Sequence, residues 1–94
     1  MIIASCVMIL SLPGVSSLKE KRRIVKSISS RLSRQFNVAV AEVDYQDVWQ
    51  SAAICLVTVG TDSGYVHSLL QKAVNWVESS RPDAPLEDYS IEFR

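Results

Sequence analysis

Histidine occurs once and cysteine twice in this sequence of 94 residues, and each scarcity removes a class of chemistry. A zinc site needs about four ligands. Cys6 and Cys55 lie far apart, with no CxxC spacing and no histidine beside either. Both sit in apolar runs, the setting of reduced core thiols rather than of a redox pair. The single His67 has no serine, aspartate or cysteine that the sequence brings to it, so no hydrolytic triad is assembled from it. A glycine-rich phosphate loop is also missing: in GTDSG, residues 60–64, no lysine follows the second glycine. Glu42 and Asp44 stand two apart on a strand pattern and share a face. They lack companion ligands for magnesium, and charges that guard an edge strand account for them. No metal, no cofactor and no catalytic constellation are expected, which argues for a protein that is not an enzyme.

Long hydrophobic runs are absent too. The opening MIIASCVMILSLPG is too short to span a bilayer, lacks a basic leader, and lacks a clear small-residue cleavage site. It reads as a strand, and the protein is expected to be soluble and cytoplasmic, with no membrane partner. Repeats, linkers and low-complexity tracts are missing, so residues 1–94 form one domain. An apolar content of 48% and a charged content of 21% fit an ordinary globular core. A chain this small buries only about 60–65% of its unfolded surface, so self-association would help it.

The patterning gives an order of elements. Residues 2–12 alternate: Ala4, Cys6, Met8, Leu10 and Leu12 form a wholly apolar face, and Ile3, Val7 and Ile9 fall on the other. Pro13-Gly14 is a turn. Ser17 and Glu20 make the S-x-x-E pattern of a helix start. Leu18, Val25, Ile28, Leu32 and Phe36 then recur at helical spacing. Residues 38–45 and 52–59 read as strands, Asp62 starts a second helix with Val66, Leu69, Leu70, Ala73 and Val77 on its inner face that ends at Arg81-Pro82, and 88–93 is the last strand, with Tyr89, Ile91 and Phe93 facing in. The sequence predicts an α+β, ferredoxin-like β-α-β-β-α-β sandwich: a four-stranded antiparallel sheet with two helices on one face. The strand over 52–59 is apolar on both faces in either register. With Ile3, Val7 and Ile9 it would leave an apolar sheet face open to water, so a homodimer through that face is expected.

Charge is the strongest functional signal. The chain has no net charge, yet residues 17–36 carry seven basic side chains and one acid, a local +6, and the rest carries −6. On a wheel of about 100° per residue, Lys19, Arg22, Arg23, Lys26 and Arg34 cluster opposite the apolar arc, among Ser27, Ser30 and Ser33. Such a face attracts phosphates and releases counterions. Its alternative is a solvated helix paired to the chain's own acids, Glu42, Asp44 or Glu87. The neutral overall charge also counts against a nucleic-acid module. Neither central strand carries an aromatic residue, so base stacking on the sheet is excluded and contact would run to phosphates. The topology brings the loop 46–51 to the start of this helix. Asp47, Trp49 and Gln50 are therefore expected beside Lys19 and Arg22, with Asp47 in a structural ion pair and Trp49 as a latch on its own domain or across a dimer.

SLKEKRRIVKS at 17–27, FNVAVAEVDYQDVWQSA at 36–52 and the later VESSRPDAP resemble, in the same order, the YlxP-like family of uncharacterised bacterial proteins. The resemblance implies a ferredoxin-like fold. Because members tend to be encoded beside translation factors and a ribosome-maturation factor, it also implies a link to RNA or a ribosomal particle. The family has no established catalytic residues to carry over. This sequence departs from it at Ser5, Val7, Ile9 and Ser11, where the family often has charges, which favours a covered sheet face. LPGV at 12–15 also resembles, over four residues, the entry of ACT-like regulatory domains, which bind amino acids near that turn. The expectation is an RNA- or ribosome-associated binding module; the alternatives are a small-ligand-binding regulatory module and a protein-interaction adaptor.

Overall fold

The computed structural model describes all residues 1–94. Strand β1 (Ile2–Ser11) leads to helix α1 (Leu18–Gln35), strands β2 (Ala39–Asp44) and β3 (Ser51–Gly60), helix α2 (Ser63–Ser80) and strand β4 (Leu86–Phe93). The sheet order is β2-β3-β1-β4 and every neighbouring pair is antiparallel. This is the α+β ferredoxin-like arrangement that the patterning predicts.

The alternation of β1 becomes the two faces of the sheet. Ala4, Cys6, Met8 and Leu10 are fully buried, and their β3 partners Thr58, Leu56, Ile54 and Ala52 share that side. Val25, Ile28 and Leu32 of α1 and Val66, Leu70, Ala73, Val74 and Val77 of α2 close over it. Each large aliphatic side chain taken wholly out of water there contributes about 1.5–3 kcal/mol. The helices begin where their caps dictate. Ser17 Oγ accepts from Glu20 N–H at 3.1 Å, and Asp62 Oδ1 accepts from Gly64 N–H at 2.9 Å. The capping box at Ser17 is only half formed, because Glu20 Oε2 accepts from Ser16 Oγ at 3.4 Å instead of reaching back to the cap. Gly60 ends β3 where α2 packs close: a Cβ there would stand 2.7 Å from Val66 Cγ2.

Three details differ from the sequence reading. A bulge between Glu42 and Asp44 breaks their shared face. Glu42 stays opposite Ile54 on the helix side, whereas Asp44 falls opposite Ala53. Tyr89 and Phe93 do face the helices, opposite Met8 and Ala4, yet remain 39% and 44% exposed because β4 is an edge strand. They pack beside α2 rather than beneath it. Tyr89 Oη donates to Gln71 Oε1 at 3.2 Å, and the Phe93 ring lies parallel to that of His67 at 6.3 Å. Leu69, which the helical spacing puts on the inner face of α2, is only half-buried.

Candidate functional site

Helix α1 has 18 residues, about 27 Å at 1.5 Å each. One side is pressed on the sheet. The other presents Lys19, Arg22, Arg23, Lys26, Arg31 and Arg34, all exposed, and none of these six lies within ion-pair distance of a carboxylate. Ser27, Ser30 and Ser33 are exposed among them. Three shallow recesses indent this surface. One of about 280 Å³ lies between Arg31, Arg34 and Gln35, and one of about 480 Å³ between Ser30, Ser33 and Arg34. A third, of about 280 Å³, is lined by Ser17, Lys19, Glu20 and Arg23 at the start of the helix. Cationic and hydroxyl donors around a shallow, open surface suit phosphate oxygens.

Arg31 lies outside the basic cluster that the helical wheel predicts. It flanks the face toward α2, and its guanidinium stands 5.9 Å from the centre of the Trp76 ring. That contact restrains the arginine without neutralising it.

The seventh base behaves differently. Lys21 is 1% exposed and belongs to the fold. Its ammonium donates to the carbonyl oxygens of Tyr45 and Val48, the second at 2.7 Å, and stands 3.1 Å from Glu42 Oε2. Glu42 Oε2 is buried and has no aligned hydrogen bond, so its contact with Lys21 is chiefly Coulombic. Tyr45 has a φ of 60°, the left-handed region that side chains disfavour, which turns its carbonyl inward to Lys21. The wheel carried a signal for this. At about 100° per residue Lys21 falls in the middle of the arc of Val25, Ile28 and Leu32.

Lys21 therefore does the work expected of Asp47. Asp47 is exposed and pairs with neither Lys19 nor Arg22. Trp49 is 44% exposed and lies outside the core, so within this chain it is not a latch. Gln50 does tie the loop down: its Nε2 donates to Val15 O at 2.9 Å, and its carbonyl accepts from Leu12 N–H at 2.9 Å. The loop is thus brought to the start of α1, but through Lys21 and Gln50.

Arg81, just past α2, closes the other flank. It forks onto Asp83 at 3.0 and 2.9 Å and donates to Ser27 Oγ at 2.9 Å. The fork holds the Asp83 carboxyl below its ordinary range. Neither thiol is poised for chemistry: burial pushes Cys6 up to about 11 and raises Cys55 as well. No three of the His, Cys, Asp and Glu side chains converge as a metal site would require, and no helix is long and apolar enough to cross a membrane.

A family model described as "Protein of unknown function (DUF503)" matches residues 3–91. The chain is similar to "Uncharacterized protein YlxP" of Bacillus subtilis (strain 168), with 35% identity over 63 residues, 67% of this chain and 68% of that protein.

Proposed function

The chain belongs to the DUF503 family of uncharacterised proteins, and from the surface it carries we propose that it is a non-enzymatic module that binds RNA through α1. One observation carries this reading: six exposed bases line about 27 Å of one helix with no carboxylate of the same chain engaging them. Unpaired charges on a rigid element suit a polymer of phosphates, because each contact releases condensed counterions. Sequence-specific reading is not part of the proposal. The central strands offer no aromatic, and Tyr89 and Phe93 on β4 face α2 rather than the open sheet. Contacts then run to phosphates and position the RNA without reading its bases. The family resemblance, with its association to translation, favours RNA on a ribosomal particle as the target.

The test is RNA binding by fluorescence anisotropy across a salt series, with a variant carrying Lys19→Glu, Arg22→Glu, Arg23→Glu and Lys26→Glu. Wild-type affinity should fall with salt with a log–log slope of roughly −2 to −4, as for a few phosphate contacts on single strands. The variant should lose binding while its circular dichroism spectrum is unchanged, since these four side chains are exposed. A flat salt response, or full binding by the variant, refutes the proposal.

A further inference from the structure

The helices cover one side of the sheet and leave the other bare. On the bare side the two central strands present Ile3, Val7 and Ile9 from β1 and Cys55, Val57 and Val59 from β3. Val59 is 55% exposed, Val57 41%, and Val43 of neighbouring β2 48%. Ile3, Val7, Val43, Cys55 and Val57 border a recess of about 430 Å³ that Glu92 and Arg94 also line. We infer that this face is occupied by a second copy of the same chain, the two sheets packed face to face about a two-fold axis that lies across the strands.

Area and charge both point to a second copy. Four strands spaced about 4.8 Å apart, over eight residues of about 3.3 Å, give roughly 500 Å² per copy and roughly 1,000 Å² for the pair. That meets the lower bound for a specific interface, and the central strands provide the apolar core such an interface needs. The charges on this face are few: Asp44 on β2, and Asp88, Glu92 and Arg94 on β4, with Asp88 and Arg94 at its opposite ends. Arg94 sits at the Ile3 end, where its N–H donates to Ile3 O at 2.7 Å; Asp88 sits at the Ile9 end.

A two-fold axis along the strands would lay β4 over β2. Asp88 would then meet Asp44, acid on acid, because both lie at the end opposite Ala53 and Ile9. An axis across the strands lays β4 over β4 with its direction reversed, and Arg94 meets Asp88 of the second copy twice. That pairing centres the crossing at the level of Ile91, which is in register with Cys6 and Leu56. From the same register Val57 falls near the second copy's Cys55, Ile3 near its Ile9, and Glu92 near its Ser90. No like charges meet. Aligned sheets cross at about −30° and stand about 10 Å apart, so these pairs are neighbourhoods whose side chains interdigitate and fill the recess. Helix α1 lies on the opposite layer and stays in solvent, so dimerisation and RNA binding fail independently.

The test is analytical ultracentrifugation of the full chain from sub-micromolar to tens-of-micromolar concentration, with maleimide labelling of Cys55 over the same range. The expected mass at high concentration is twice 10.5 kDa, with labelling of Cys55 slowing as concentration rises. Val57→Asp, at a position already open to water in the single chain, should give a folded monomer that keeps its RNA affinity. Asp88→Arg alone should weaken the dimer at least several-fold, and Asp88→Arg with Arg94→Asp should restore it. A monomer at every concentration, a dimer unaffected by Val57→Asp, labelling independent of concentration, or a double exchange that fails to restore association would each overturn the inference.

Discussion

Lys21→Met separates the one structural base of α1 from the six exposed ones. The substitution keeps side-chain length and apolar packing and removes the ammonium. Three acceptors then lose the ammonium: the Val48 carbonyl, Glu42 Oε2, and the Tyr45 carbonyl, which keeps only the Val48 N–H at 3.0 Å. Breaking a buried pair by deleting one side costs about 3–5 kcal/mol, because the remaining charge is left uncompensated. Glu42 tempers this, since its side chain is 21% exposed and can reach water by a modest movement. The Val48 carbonyl presses the other way: an acceptor left unmade costs up to about 1–3 kcal/mol, the upper end being for one wholly out of water, and this one is part-buried. Tyr45, in its left-handed conformation, also loses one of the two hydrogen bonds to its carbonyl.

A net loss of about 3–5 kcal/mol is a large fraction of the roughly 5–14 kcal/mol available to a chain of this length. In a thermal melt at neutral pH it lowers Tm by more than about 12 °C, since 1 kcal/mol moves a domain of this size by about 4–8 °C. Lys21→Met with Glu42→Leu should recover part of the loss, because an apolar pair removes the stranded charge, but not the carbonyl share. Lys19→Met and Lys26→Met are the controls and should stay within about 0.5 kcal/mol of wild type. A cost for Lys21→Met below about 1 kcal/mol, or equal to that of the two controls, would show that Lys21 is one more solvated base.

Two further outcomes follow from local geometry. Gly60→Ala drives a methyl to within 2.7 Å of the buried Val66 side chain and should destabilise by about 1–3 kcal/mol in urea denaturation; Val66→Ala in the same chain should relieve part of the overlap. The Asp83 carboxyl is held below its ordinary range by Arg81, so it contributes stability above its unfolded-state pKa that is lost as pH falls through the folded-state value. Melts of wild type and Asp83→Asn should therefore converge in strong acid and differ by under about 1 kcal/mol at neutral pH, a small margin because that side chain is 46% exposed.

The fold was legible because two periods dominate the sequence. Alternation in β1 and the apolar arc of α1 place nearly the whole core, and they survive small errors at element ends. What escaped reading depends on single-residue events or on distant partners. The bulge after Glu42 shifts the parity of the strand by one residue, and no hydrophobic pattern in so short a strand reports it. The charge count takes Lys21 with its neighbours, although its angular position belongs to the apolar arc; its two carbonyl acceptors lie 24 and 27 residues away and have no sequence signature. The Arg81–Ser27 contact spans 54 residues and is set only when α2 closes on the sheet. Alternation puts Tyr89 and Phe93 on the correct face but says nothing about how far α2 extends over an edge strand.

Zero net charge argues against RNA binding only if charge is averaged over the molecule. Fields from exposed charges decay over about 8 Å in physiological salt, less than the 10–12 Å diameter of one helix. The acids that matter are therefore those beside α1, and two of them are already engaged: Glu42 by Lys21 and Asp83 by Arg81. Asp88 and Glu92 lie on β4, on the bare side of the sheet. This distinction can be measured with two substitutions that change net charge equally. Asp83→Asn releases Arg81, whose guanidinium already touches Ser27 of α1, and adds a seventh free cation to that face. It should raise RNA affinity about 2–5-fold and steepen the salt slope by about 0.7, one phosphate contact. Asp88→Asn, behind the sheet, should leave both unchanged. If the two variants gain equally, affinity follows the charge of the whole molecule, and α1 is not a localised interface.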